Sequence, residues 1–505
     1  MADTDRRIVV EGVEFAQLVQ FPRILRAVTS AFQLPRLLLA LLMVAAVMTG
    51  GRVWDMLFTA TVSPAGLMAE PWTTQDAARG RQVLQAALDR YGIAAEDNPP
   101  ADAVLSANDV LVQIRSAYST QRDALLEQVA DPEEGVDREQ AETALRAGDN
   151  RFLDTIDQLD DVRPRGMFEA TAHHVTTGFN RLTRGLVSLE IGEFFNGLGD
   201  VFVRTPIGAW RNDPLFTVAY GLFFLVLIAI GGGALSRMAA VDMAFGEKIR
   251  LQEAIDFALR SWRRLVGSLV LPLLIAGVLS AMLLVGGFFL MLPWLDVLGG
   301  LLYGVALLLG FGVVFLLAGY AAGFSLLVPA VACENCDAAD AQQRAYAYAL
   351  SHPLHLLGYG IVAMVGLSVG FVLASLFAVA VLNLTGALVD AATANAAVDV
   401  TYGFALFDLA PRRAAAIPLQ LHSEWSAGLV MFWQTVVVSL VAAYVFSNYF
   451  SASTTVYMLM RRVCDGQELD EIWQEGELPG STVPDDDGDD GDDGDDDEPA
   501  QTSQT

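Results

Sequence analysis

Charge is scarce in this chain. Only 18% of its 505 residues are Asp, Glu, Lys or Arg, where soluble domains carry about a quarter. Lysine is nearly missing: Lys248 alone stands against 30 arginines, which reads as coding bias. Three cysteines, Cys333, Cys336 and Cys464, exclude a disulfide scaffold. No Walker A loop occurs, and His173-His174 lack the HExxH pattern, so a helix surface is their default setting. The net charge of −28 argues against a nucleic-acid partner, which needs a basic footprint.

Hydrophobic residues make up 53% of the chain, and long uncharged runs set its class as an all-α, polytopic membrane protein with six transmembrane helices. The lipid bilayer is therefore its first partner. The first run is short, and predicts a span over 37–58 after a cytoplasmic N-terminal segment, 1–36, with Arg36 snorkelling to the headgroups. The remaining spans are expected at 214–236, within 265–332 as a pair, at 356–388 and at 427–460. The fourth, 297–332, would reach ~54 Å as one helix, so a bend is expected near Gly319–Gly323, before Pro329. Their central parts hold no Asp, Glu, Lys or Arg, which disfavours an ion-coupled carrier.

Arginines flanking the spans set the orientation. The segment 237–264, expected as a basic amphipathic helix, holds Arg237, Lys248, Arg250, Arg260, Arg263 and Arg264. A second amphipathic loop, 333–355, falls on the same side, whereas the loop 389–426 has only Arg412 and Arg413. Both termini are expected in the cytoplasm and residues 59–213 outside it, in a bacterial cytoplasmic membrane. Residues 52–213 carry 26 acidic residues and 15 arginines, the composition of a soluble unit. Helices are expected at about 74–91, 102–129 and 137–159, followed by an interfacial amphipathic segment over 179–210. From 461 to 505 there are 17 acidic and 2 basic residues, and the run DDDGDDGDDGDDDE at 485–498 predicts a disordered acidic tail.

Candidate chemistry is sparse. Cys333 and Cys336 with His352 and His355 give C-x2-C-x15-H-x2-H, a zinc-like set whose histidine spacing is short and interrupted by Pro353. Gly197-Leu198-Gly199-Asp200 matches the GxGD string of intramembrane aspartyl proteases, but the segment is too polar to span and lacks a second aspartate. Glycine pairs at Gly300/Gly304, Gly319/Gly323 and Gly366/Gly370 make small-xxx-small faces for helix packing, within the chain or between copies. Thus no catalytic residue, metal or cofactor is expected.

Two resemblances add to this. Glu253-Ala254 precedes Leu271-Pro272 at the interval of the EAA loop of ABC importer permeases, over about 20 residues. That likeness implies partner docking by Glu253, Ala254, Arg260, Arg263 and Arg264. Gly232–Ala240, Gly246–Ile249, Glu253–Ala258, Val328–Ala332, Asp337–Ala341 with Arg344–Tyr348, and Ser453–Tyr457 resemble an uncharacterised multi-pass membrane family of planctomycete-type bacteria. The likeness covers roughly 200–475 and implies no activity. Gln252–Leu259 and Gln343–Leu350 also look alike, from a duplicated hairpin or from alanine-rich chance. The expectation is a non-enzymatic scaffold or accessory component acting through protein contacts; the alternative is a permease-like subunit for a small or lipidic solute with a separate ATPase.

Overall fold

A computed structural model describes residues 21–58, 62–63, 66–69, 74–93, 107–130, 138–160, 164–289, 295–393, 404–407, 409 and 421–474. The expected acidic run at 485–498 lies outside the described residues. Among the described residues the chain is helical, with a single isolated antiparallel bridge between Val62 and Arg165. In chain order the helices are α1 (Phe21–Ser30), α2 (Leu34–Leu57), α3 (Thr74–Arg90), α4 (Ala107–Ala130), α5 (Arg138–Asp160), α6 (Met167–Val187), α7 (Ile191–Gly199), α8 (Thr205–Asn212), α9 (Pro214–Ala244), α10 (Leu251–Arg260), α11 (Trp262–Phe289), α12 (Leu295–Glu334), α13 (Ala338–Ser351), α14 (Pro353–Thr393) and α15 (Leu421–Asp465). Six of them, α2, α9, α11, α12, α14 and α15, are long and apolar enough to cross a membrane.

Helix α9 is the hub of the bundle. Its start is fixed by Pro214 at the first helical position and by the Asp213 carboxylate, which accepts from the Leu215 and Phe216 amides at 2.9 and 3.1 Å. Near its other end run Gly231, Gly232 and Gly233, all buried. Successive helical residues point about 100° apart, so a glycine triplet lets three neighbours approach at once. A methyl group at 231 would strike Met43 of α2, at 232 Phe450 of α15, and at 233 Leu265 of α11. Arg237, one turn further on, donates to the Ala332 carbonyl of α12 at 3.2 Å.

The largest core gathers around this hub, at the end of the bundle where α9 finishes. It contains Met43, Leu235, Met238, Leu265, Val331 and Met458. We call this the polar end, after the Arg36–Asp242 and Glu334–Arg344 ion pairs found there. Helices α10 and α13 lie beneath it with their small faces inward: Ala254 and Ala258 on one, Ala341 and Ala345 on the other. The alignment that suggested a duplicated hairpin therefore matches Ala254 to Ala345, both fully buried.

Several boundaries move. Helix α9 runs eight residues past the expected 236, which brings Asp242 into the bundle, and α11 begins at Trp262. Helix α12 continues as one helix of 40 residues through Gly319–Gly323 and Pro329. It stays continuous because α13 packs along it: Tyr346 fits the groove at Gly319, Ala345 fits Gly323, and the Tyr346 hydroxyl donates to the Leu316 carbonyl at 2.5 Å. From Phe21 onward the N-terminal segment packs against the bundle. In α1, Ile24 and Ala27 are buried, Leu25 and Val28 cover Gly366, and Tyr444 donates to the Val28 carbonyl at 3.1 Å.

At the opposite end, Asp55 of α2 caps α6 by accepting from the Phe168 and Glu169 amides, both at 2.9 Å. The segment expected as one interfacial helix is a hairpin instead. The chain turns at Leu189, in the left-handed region (φ 57°), and α7 returns against α6. Gly185 lies on the backbone of Phe194 and Gly197 on that of Leu182. Helices α3, α4 and α5 form a separate core from Leu84, Ala87, Ile114, Tyr118, Phe152, Ile156 and Leu159. Val112, on the expected apolar face of α4, is exposed. A buried Arg122–Asp149 pair at 3.0 Å and the Tyr118 hydroxyl, 2.6 Å from the same carboxylate, lock α4 to α5. Burial and the adjacent carboxylate hold the Tyr118 phenol well above its ordinary range.

The hub makes a definite prediction. Gly232→Leu forces the buried Phe450 ring aside and lowers stability by about 1–3 kcal/mol, read as a fall in the thermal midpoint in mild detergent. Gly221→Leu, on the same helix with open space around it, leaves the midpoint nearly unchanged.

Candidate functional site

A cavity of about 410 Å³ opens at the polar end. Helix α1 supplies Arg23, Arg26 and Ser30, α2 supplies Arg36, α9 supplies Asp242, and α15 supplies Ser451, Thr455 and Arg462. Residues after α15 close the remaining side with Glu468, Leu469 and Asp470. Arg36 does not snorkel: it is 1% exposed. Its Nη2 donates to Asp242 Oδ2 at 2.9 Å and to the Met238 carbonyl at 3.0 Å, and its Nη1 lies 3.4 Å from Ser451 Oγ. Gln33 Nε2 donates to the same Asp242 oxygen at 3.3 Å. A buried cation persists only when paired and hydrogen-bonded, and Asp242 meets that need. Arg36 Nε is left with no partner.

Beside the cavity runs a second network. Glu334, at the end of α12, pairs with Arg344 at 2.5 Å, faces the buried Arg461 at 3.9 Å and accepts from the Tyr457 hydroxyl. Tyr348 donates to Asp465. The segment following α15 was expected to belong to the disordered tail, yet it folds back across the bundle as far as Gln474. Arg461 donates to the Glu468 carbonyl at 3.0 Å, Ile472 is buried, and the Trp473 amide donates to the Cys333 carbonyl at 2.8 Å. Arg237 donates to the Trp473 carbonyl at 2.7 Å and lies over the rings of Phe257 and Trp473.

The zinc-like set does not assemble. Cys333 is buried in the last turn of α12, and the Cys336 thiol turns back toward the Ala330 carbonyl. His352 is instead 3.4 Å from Cys464 Sγ, while His355 faces Tyr359. Among the described residues no group of three His, Cys, Asp or Glu side chains could hold a metal. Burial pushes the Cys336 thiol up to about 12, so it is not the thiolate that metals require.

The docking residues divide. Glu253 and Arg260 are exposed on α10, and Arg263 lies over the Trp262 ring. Ala254 is fully buried and cannot meet a partner, because the small face of α10 is the one that fits under the bundle. Arg264 is engaged by Asn335 at 2.7 Å and Asp337 at 3.2 Å. Of the glycine pairs, Gly319/Gly323 and Gly366/Gly370 receive neighbours from within the chain, with Tyr444 against Gly370, whereas Gly300 and Gly304 face open space.

Asp200 of the GxGD string is buried at the start of a π-helical turn, Asp200–Arg204. Arg181 and Arg204 pair with it at 2.7 and 2.6 Å, an arrangement that ties α6 to the turn after α7. Gly366-Leu367-Ser368-Val369-Gly370 fits G-x-S-x-G as a string. Ser368 lies buried within α14, away from any strand-to-helix elbow, so the nucleophile geometry of that motif is missing. The Arg36–Asp242 pair escaped sequence reading because both residues stood at span edges, where charges are ordinary. Comparison with family models, with curated proteins and with solved structures finds no match to this chain.

Two outcomes test this geometry. Arg36→Gln strands Asp242 and costs about 3 kcal/mol or more, while Arg36→Met with Asp242→Leu recovers much of the loss in the thermal midpoint. In a Cys464→Ser background, maleimide labelling of Cys336 keeps rising roughly tenfold per pH unit from pH 8 to 10, where an ordinary thiol levels off near 8.5–9. A plateau by pH 9 contradicts the burial.

Proposed function

We propose that this chain is a non-enzymatic component of a bacterial cytoplasmic membrane, a scaffold or accessory subunit working through protein contacts on both faces. The polar end carries Arg250, Arg260, Arg263 and Arg344, which supports placing that end and both termini in the cytoplasm. Residues 59–213, with the α3–α5 bundle, are then extracytoplasmic. The observation that carries the contact role is that bundle: it builds its core from its own three helices, so its outer surface is available to partners. On the cytoplasmic face Glu253, Arg260 and Arg263 project from the α10–α11 corner, and the acidic run at 485–498 offers a charged ligand for a basic partner. Gly300 and Gly304 are the pair left for self-association through the membrane. The resemblance to the planctomycete-type family agrees with this reading and adds no activity to it.

A permease-like subunit is the second reading, favoured by exposed Glu253 at the interval from Pro272. The inward face of Ala254 and Ala258 weighs against it, since a docking helix needs an accessible surface.

Photo-crosslinkers placed at Val112 and at Arg260 test the proposal in native membranes, with partners identified by mass spectrometry. Discrete protein adducts at both positions are expected. A stoichiometric ATPase crosslinked at the α10–α11 corner would establish the permease reading. Turnover of a lipid or peptide by the purified chain would overturn both.

A further inference from the structure

We infer that the cavity at the polar end binds a phosphate-bearing anion, with the headgroup of an anionic phospholipid as its source. Arg23 and Arg26 are one helical turn apart on α1, both exposed and both lining the cavity. Neither has an ion-pair partner among the described residues. The acidic groups nearby are largely committed: Asp242 to Arg36 and Gln33, and Glu468 to Arg462 at 3.8 Å. Four arginines against three carboxylates leave the lining net positive, and the excess lies on the α1 side. Below it the buried Arg36 has an Nε with no partner.

Guanidinium forks match the oxygens of a phosphate in paired hydrogen bonds. A space of about 410 Å³ is in the range of small-ligand sites. The surroundings favour a lipid over a free ion. Leu25, Phe32 and Leu34 are exposed around α1 and the start of α2, at the level where a span enters the bilayer. An acyl chain would run along these side chains while the phosphate reaches the arginines. This inference rests on the six-span reading and is independent of which proteins the chain contacts.

Native mass spectrometry of the full chain, taken from micelles doped with equal phosphatidylglycerol and phosphatidylcholine, tests it. One retained phosphatidylglycerol per chain is expected, with phosphatidylcholine retained at least fivefold less. Arg23→Gln with Arg26→Gln loses that preference at least fivefold, and Lys248→Gln with Arg250→Gln, exposed charges elsewhere at the same end, keeps it. Thermal midpoints of the variants in phosphatidylcholine alone confirm that they fold. Inorganic phosphate is the second probe: stabilisation by phosphate that depends on Arg23 and Arg26, without lipid retention, keeps the anion site and reassigns its source. Equal retention of the two lipids together with no effect of phosphate overturns the proposal. So does binding that appears only after removal of residues 481–505, which makes the acidic tail the occupant.

Discussion

Close approach at Gly231–Gly233 is the constraint on which the rest of the bundle depends. In a membrane the usual hydrophobic drive between helices is missing, so packing must come from contact area and from polar groups with nowhere else to go. One helix with three consecutive residues lacking side chains can touch three others at the same height. Once Met43, Phe450 and Leu265 occupy those places, α2, α15 and α11 meet at one level, and Arg237 adds α12. The polar groups then follow the steric frame. Arg36 and Asp242 meet because α2 and α9 are already in contact, and Glu334 reaches Arg461 because α12 and α15 are.

The six spans were legible because hydropathy over about 20 residues is a property of a window, insensitive to any one side chain. The helices of the α3–α5 unit were legible for a similar reason, since a period of 3.6 repeats over several turns. What remained hidden depends on single positions. Arg36 as a headgroup anchor and Arg36 as a buried cation have the same local sequence; only Asp242, some two hundred residues away, separates them. The backward fold of 466–474 was masked by its acidic composition, and rests on Ile472 and Trp473, two apolar residues in a polar stretch. Small residues misled in the opposite direction. Ala254 looked like a contact surface and is core, while of the glycine pairs expected to pack within the chain or between copies, Gly300/Gly304 has no neighbour within this chain.

Polar groups are unevenly distributed between the two ends of the bundle. One end carries an arginine-lined cavity, a carboxylate shared by Arg344 and Tyr457 with Arg461 alongside, and a folded-back terminal segment. The other end is held by a helix cap at Asp55, aromatic packing of Trp54 with Phe216, and the α6–α7 crossing. The cavity arginines Arg23, Arg26 and Arg36 are positioned by helices rather than by loops.

The sequence separation of these contacts governs how the molecule can be made. A chain inserted from its N-terminus exposes Arg36 first, whereas its partners Met238, Asp242 and Ser451 lie 202, 206 and 415 residues downstream. Until α9 is inserted, that cation has only headgroups and water to satisfy it. Until α15 arrives, Gly232 has no Phe450 to fill its hollow. The core at the polar end is thus closed by contacts distant in sequence: α1 and the segment after α15 both pack over the bundle.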